Sequence, residues 1–95
     1  MKHPRTFIAR PSIVSCELDG GTVLLDLDTS RYFGLNAVGL VVWEALAQPS
    51  TADELCRKVC ERFDVTPDKC AQDVDRLLSD FIDRRLIERE PGPVA

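Results

Sequence analysis

The sequence has little histidine and none of the common catalytic or metal-binding motifs. Its 95 residues include one histidine, His3. Phosphate loops of the form Gly-x-x-x-x-Gly-Lys, zinc motifs of the form His-Glu-x-x-His and nucleophile elbows of the form Gly-x-Ser-x-Gly are all absent. No apolar run approaches the roughly 20 residues that span a bilayer, and the N-terminus lacks the apolar core of a secretory signal. We therefore expect a cytoplasmic protein with no catalytic residues, no metal and no cofactor.

Positive charge is also scarce. Twelve Lys and Arg residues stand against sixteen Asp and Glu residues, for a formal net charge of −4. Such a chain has no general attraction for phosphate backbones or anionic lipids, so we expect neither nucleic acid nor membrane among its partners. The apolar fraction of 44% and the charged fraction of 29% are ordinary for a globular protein, and the length favours one domain with one core.

Four cysteines raise the question of a thiol site. Cys56 and Cys60 are four residues apart on a predicted helix and would share a face, a spacing that could hold a metal. Structural zinc sites, however, use compact pairs of ligands, and Cys16 and Cys70 lie on other predicted elements. We interpret the four thiols as reduced, buried side chains that pack like small apolar residues. A thiol-based metal or redox protein remains an alternative.

The first half of the sequence predicts three β-strands. They cover residues 13–18, 22–27 and 31–35, where β-branched, aromatic and other apolar residues are concentrated. The segment 19–21, Asp-Gly-Gly, tolerates the positive φ angles of a tight hairpin, and 28–30 is a second turn. Two short turns imply an antiparallel meander with the third strand at its edge. Nothing in 31–35 except Arg31 discourages pairing with another chain, so this edge is a predicted docking site.

The second half predicts three helices with recognisable starts. Asn36 is placed to cap the first helix, and Thr51 with Glu54 forms a capping box at the start of the second. Thr66 precedes Pro67, which occupies the favoured first position of the third helix. The order βββααα indicates an α+β domain that is winged helix-turn-helix-like, with a three-stranded antiparallel sheet followed by three helices.

The ends of the chain are expected to differ from this domain. Residues 1–12 contain two prolines, Pro4 and Pro11, and we predict that they form a flexible, irregular arm. The domain is expected to cover residues 13–87, with Leu86 and Ile87 docking back onto the core. Residues 88–95 are expected to form a flexible tail.

The last helix allows a structural, a peptide-binding and a DNA-binding interpretation. Its five Asp residues alternate with four Lys and Arg residues, which is typical of a solvated face. Asp73, Asp80 and Arg84 flank Leu77, so this side could instead border a groove. A DNA-recognition helix would present mainly basic and amide side chains, and the acidic charge does not favour that function.

The sequence also resembles a known family. The pattern Tyr-Phe-Gly-Leu-Asn-x-x-Gly-x-x-Val-Trp at 32–43, Thr-x-x-Glu-Leu at 51–55 and the closing helix through 73–87 resemble PqqD-like domains. These domains recognise leader peptides in pathways that make ribosomally synthesised and post-translationally modified peptides. The small size is most similar to the stand-alone leader-binding proteins of lasso-peptide biosynthesis. The resemblance covers roughly residues 13–87.

The resemblance implies a fold of three strands and three helices and a specific mode of binding. A precursor's leader peptide would add as an antiparallel strand beside the third strand and be clamped against the third helix. In the lasso branch the leader carries a Tyr-x-x-Pro motif that enters an apolar pocket. The implied peptide-binding residues are Arg31, Tyr32, Phe33, Gly34 and Leu35 on the strand, and Cys70, Asp73, Val74, Leu77, Asp80, Phe81 and Arg84 on the helix.

The expected function is therefore that of a non-catalytic adaptor. It would bind the leader by β-augmentation and present it to a separate leader peptidase, with the macrocyclase as a further candidate partner. Alternatives are a peptide chaperone for a radical enzyme in pyrroloquinoline quinone biosynthesis and a winged-helix DNA-binding regulator.

Overall fold

The computed structural model describes residues 5–90, which form two small sheets and three helices. No helix in this part of the chain is long and apolar enough to cross a membrane. The elements are β1 Thr6–Ala9, β2 Ile13–Leu18, β3 Gly21–Asp26, β4 Tyr32–Leu35, α1 Ala37–Ala45, β5 Ser50–Thr51, α2 Ala52–Arg62, α3 Pro67–Asp83 and β6 Ile87–Glu90. Strands β2, β3 and β4 form one antiparallel sheet in that order, and the second sheet has the order β5-β1-β6. The first sheet and the helices confirm the predicted α+β fold.

A tight turn sets the register of the β2-β3-β4 sheet. Asp19 and Gly20 both have positive φ angles, 49° and 79°, which match the right-handed twist of a two-residue hairpin. The resulting pairing places Leu24 opposite Phe33, on the face that packs against the helices. Leu24 is fully buried. The predicted meander is confirmed, and β4 is one of its edges.

All three predicted helix starts are confirmed. The Asn36 Oδ1 accepts from the Gly39 N–H at 2.7 Å. The Thr51 N–H donates to the Glu54 carboxylate at 2.8 Å, while the Thr51 hydroxyl accepts from the Glu54 N–H at 3.2 Å. Thr66 caps α3 by accepting from a first-turn N–H at 3.3 Å. Because the first N–H groups of a helix have no partner within the helix, these side chains fix where each helix begins.

The second sheet corrects the prediction for the chain ends. Residues 1–12 were expected to be irregular, but β1 pairs with β6 along its whole length and also with β5. Strand β6 also overlaps the tail predicted at 88–95. The docking of Leu86 and Ile87 is confirmed, since both are buried. The pairing joins two ends of the chain that no local turn signal connects, which is why sequence patterns missed it. Residues 1–4 and 91–95 lie outside the described residues, and the domain boundaries stay a prediction.

The rotation of α3 follows from which of its residues are buried. Trp43 of α1 meets Phe81 edge-to-face, with ring centroids 6.1 Å apart. Such aromatic contacts add to the stabilisation from apolar burial. Leu77 lies one helical turn before Phe81, at the margin of this buried face, and is half-buried against the core. The residues that α3 buries are Cys70, Val74, Leu78 and Phe81.

The predicted role of the cysteines as small packing residues is confirmed on the helices. Cys70 is only 1% exposed, and its thiol donates to the Cys56 carbonyl at 3.5 Å. Burial raises the pKa of Cys56, and it raises the pKa of Cys70 to about 12. Cys56 and Cys60 are half-buried against the core, whereas Cys16 lies half-buried on the opposite face of the β2-β3-β4 sheet. All four are free thiols.

The raised pKa of Cys70 predicts a loss of stability in alkali. The unfolded thiol ionises near its ordinary pKa of 9.0, while the folded thiol stays protonated up to about pH 12. Between these values the folded state binds more protons, so the free energy of unfolding falls as pH rises, by at most about 1.4 kcal/mol per pH unit. Urea unfolding should show this fall in the free energy of unfolding above pH 9 for the wild type, and a smaller fall for Cys70→Ala. Parallel pH profiles would show that Cys70 does not cause the loss.

Candidate functional site

Strand β4 has one open edge. The Arg31 carbonyl accepts a hydrogen bond from a β3 backbone N–H at 2.9 Å. Backbone groups alternate in direction along a strand, so those of Phe33 also face β3 while those of Tyr32 and Gly34 face outward. Within residues 5–90, no other strand pairs with β4. Two N–H groups and two carbonyls are therefore available to an added strand.

This open edge faces α3 across a cleft, which we call the β4–α3 cleft. It consists of three cavities that share lining residues. At its first end, a cavity of about 510 Å³ lies between α3 and the start of α1. Val38 and Leu77 are both half-buried there and give it an apolar surface. We call this cavity the apolar end; its lining residues are Asn36, Val38, Asp73, Arg76, Leu77 and Asp80.

The middle of the cleft is a smaller cavity than either end. The Arg84 guanidinium lies over the Phe33 ring, 5.5 Å from its centroid, and its Nε donates to Asp80 Oδ1 at 2.9 Å. A cation over an aromatic face is attracted by the ring's quadrupole, so this contact joins α3 to β4. The middle cavity has a volume of about 240 Å³ and is lined by Phe33, Gly34, Leu35, Asp80, Phe81, Arg84 and Leu86.

The second end of the cleft is rich in arginine. This cavity, of about 460 Å³, lies beside the β3–β4 turn and the last turn of α3. The buried Asp26 carboxylate accepts from the backbone N–H groups of Asp28 and Thr29, at 2.9 and 3.3 Å, and so holds the turn in place. We call this cavity the arginine end; it is lined by Arg10, Asp26, Asp28, Thr29, Arg31, Phe33, Asp83, Arg84 and Arg85.

The structure brings most of the predicted site residues to this cleft. Residues 31–35 form or precede its open strand, although the Tyr32 side chain lies on the sheet's other face, 60% exposed. Phe81 is buried and lines only the middle cavity. The other predicted helix residues that line the cleft are Asp73, Leu77, Asp80 and Arg84. Whether they contact a peptide stays a prediction.

Cys70 and Val74 need correction, because neither lines the cleft. Both are at most 1% exposed and belong to the core. The apolar residues of α3 form two adjacent stripes, one that packs into the core and one, through Leu77, that lines the cleft. These stripes are only about 40–60° apart around a helix, so the apolar pattern alone did not separate them.

Sequence reasoning also missed several lining residues. Arg76 and Asp73 are three apart on one face of α3, so helical spacing from Asp73 could have found Arg76. Arg10 reaches the cleft only because β1 pairs with β6, which no local pattern indicated. The missed residues are Arg10, Asp26, Asp28, Thr29, Asn36, Val38, Arg76, Asp83, Arg85 and Leu86.

The cleft is suited to binding an extended chain. It offers backbone hydrogen bonds along β4, apolar contact at one end and guanidinium groups at the other. Among the side chains of residues 5–89, no group of three or more His, Cys, Asp or Glu is arranged to hold a metal.

Comparisons with known proteins agree with this geometry. The family model for coenzyme PQQ synthesis protein D (PqqD) matches residues 21–87, which include β4 and α3. No curated protein sequence matches the chain. The solved structure of TbiB1 in complex with the TbiA(beta) leader peptide is 28% identical, with a TM-score of 0.75 over 93% of this chain and 99% of that one. Lasso peptide synthetase B1 complexed with its leader peptide has the same fold, at 21% identity and a TM-score of 0.74 over 86% and 96% of the chains. Because the PqqD family model matches most of its length, the chain belongs to the PqqD family.

Proposed function

We propose that this protein is a non-catalytic adaptor that binds the leader segment of a ribosomally synthesised precursor peptide. The leader adds to the open edge of β4 as an antiparallel strand, and the adaptor presents it to a separate leader peptidase in lasso-peptide biosynthesis. The observation that carries this proposal is the unpaired β4 edge facing the cleft. It is supported by the two similar solved structures, both of which are complexes with leader peptides.

Backbone and side chains have separate roles in this mode of binding. The outward N–H and carbonyl groups of Tyr32 and Gly34 bond to any extended peptide, so they give affinity without sequence choice. The cavities that line the cleft provide the sequence specificity, because they contact the side chains of the leader. An antiparallel leader runs from the apolar end, beside Leu35 and Asn36, towards the arginine end beside Arg31. The side chains of a Tyr-x-x-Pro motif fit the surface formed by Val38 and Leu77.

A leader peptide is disordered before it binds, and ordering it has a free-energy cost. This cost offsets part of the gain from hydrogen bonding and apolar burial, so the complex can be specific without being irreversible. An adaptor that must pass its peptide to a peptidase needs this property.

A second candidate function is peptide chaperoning for a radical enzyme in pyrroloquinoline quinone biosynthesis. The family model itself, which is that of a coenzyme PQQ synthesis protein, favours it. Both functions use the same cleft and differ in the precursor and in the enzyme that receives it.

Calorimetric titration with precursor peptides tests the proposal and separates the two candidates. The protein is titrated with the leader of a lasso precursor encoded near its own gene, with a scrambled peptide of equal composition, and with a pyrroloquinoline quinone precursor. We expect that only the lasso leader, of the three peptides, binds the protein. We also expect the partner peptidase to cleave the lasso precursor faster when the adaptor is present. Binding of the quinone precursor alone would favour the second candidate, and binding of the scrambled peptide would contradict specific recognition.

A further inference from the structure

The arginine end of the cleft concentrates positive charge in an acidic protein. Four of the chain's twelve Lys and Arg residues line this one cavity, although the formal net charge is −4. Two of the four have partners. The Arg10 Nε lies 3.9 Å from Glu88 Oε1, and the Arg10 Nη1 donates to the Arg85 carbonyl oxygen at 3.3 Å. The Arg84 Nε pairs with Asp80 Oδ1 at 2.9 Å. Within residues 5–89, no carboxylate lies within 4 Å of the guanidinium of Arg31 or Arg85.

The carboxylates of this cavity leave two guanidinium groups for a ligand. Asp26 is buried and is occupied by two backbone N–H groups of the β3–β4 turn. Asp28 and Asp83 are exposed to solvent on the rim. Guanidinium groups without a carboxylate partner favour an anionic ligand, and they bind planar carboxylates in a bidentate manner.

The backbone at Arg85 has a conformation that favours glycine. Arg85 follows the end of α3 with φ +58°, in the left-handed region. The Arg85 N–H donates to the Ile82 carbonyl at 3.0 Å and the Leu86 N–H to the Phe81 carbonyl at 2.9 Å, the two bonds that end a helix at a left-handed residue. Glycine is the residue that adopts this conformation without strain. An arginine at this position is therefore less favourable to the fold than a glycine would be.

We propose that the arginine end binds carboxylate side chains of the leader, at positions just C-terminal to the segment that pairs with β4. This inference rests on the proposed function, because an antiparallel leader leaves β4 beside Arg31 and passes directly over this cavity. Arg31 and Arg85 receive the carboxylates, while Arg84 remains engaged with Asp80 and Phe33. The apolar end thus selects the N-terminal part of the leader, and the arginine end selects acidic residues in the part nearer the cleavage site.

The test uses two synthetic leaders that differ only in the two residues after the β4-pairing segment, which are Glu-Glu in one and Gln-Gln in the other. We expect the wild type to bind the Glu-Glu leader about tenfold more tightly at low salt, and salt to reduce this preference. Arg85→Gly should lose most of the preference while its Tm stays equal or rises by up to about 8 °C, because strain is relieved. Arg57→Gln, on the exposed face of α2, should keep the preference.

The outcomes separate this inference from the proposed function. Equal affinity of the wild type for both leaders, or an Arg85→Gly protein that keeps the preference, overturns the arginine-end proposal while leader binding stands. A rise in the Tm of Arg85→Gly with no change in preference would mean that Arg85 acts only at the helix end. Failure of the wild type to bind either leader overturns both proposals.

Discussion

Replacing Gly34 with proline is expected to weaken strand addition strongly while leaving the domain folded. Proline removes the outward N–H of Gly34 and places its ring on the edge where the leader would pair. The bonds between β4 and β3 use the other face of the strand, and proline is tolerated on such an open edge. Losing one buried hydrogen bond and obstructing the edge should weaken leader affinity at least about tenfold to a hundredfold. Calorimetric titration measures the affinity, and circular dichroism checks the fold.

Gly34→Ala is the matched control. A Cβ built at Gly34 has no atom within 4 Å, and alanine keeps the N–H. This variant should bind the leader nearly as well as the wild type. If Gly34→Pro also bound normally, the leader would not be pairing with β4.

The second large effect is expected from Leu77→Ala. Leu77 is half-buried at the apolar end, so a bound leader side chain would complete its burial. Removing most of this contact should weaken leader binding by about 1.5–3 kcal/mol, roughly tenfold to a hundredfold. The loss of stability should be smaller than for a fully buried leucine, because Leu77 is only partly buried against the core. Calorimetric titration and urea unfolding together measure the two effects.

Two leucines serve as controls for Leu77. Leu18→Ala makes the same chemical change at a side chain that is 51% exposed on the β2–β3 hairpin and outside the cleft, so affinity should not change. Leu78→Ala, beside Leu77 but 4% exposed in the core, should cost about 2–5 kcal/mol of stability. Unchanged affinity of Leu77→Ala would place the apolar contacts elsewhere.

Local signals in the sequence were sufficient for much of the fold. Asn36, Thr51 and Thr66 marked the helix starts because capping depends on side chains within a few residues of the N–H groups they satisfy. The Asp19-Gly20 turn likewise fixed the first hairpin. Pairing between β1 and β6 could not be predicted in this way, because it joins segments at opposite ends of the chain.

The candidate site was predictable in its strand and less so in its helix. An edge strand follows from the order of a meander, so residues 31–35 could be identified without coordinates. The face of α3 could not, because Val74 and Leu77 are both apolar and only packing against Trp43 and α2 decides which of them is buried. Arg85 gave no sequence signal, since its distinguishing feature is a backbone angle.

Amide hydrogen exchange, measured residue by residue by NMR with and without leader peptide, tests the central claim most directly. The Tyr32 and Gly34 N–H groups face outward and should exchange quickly in the free protein. We predict that saturating leader slows both by about tenfold or more, because each acquires a strand partner, while Phe33, already bonded to β3, is slow in both states. Leader binding that leaves the exchange of Tyr32 and Gly34 unchanged would contradict strand addition at β4.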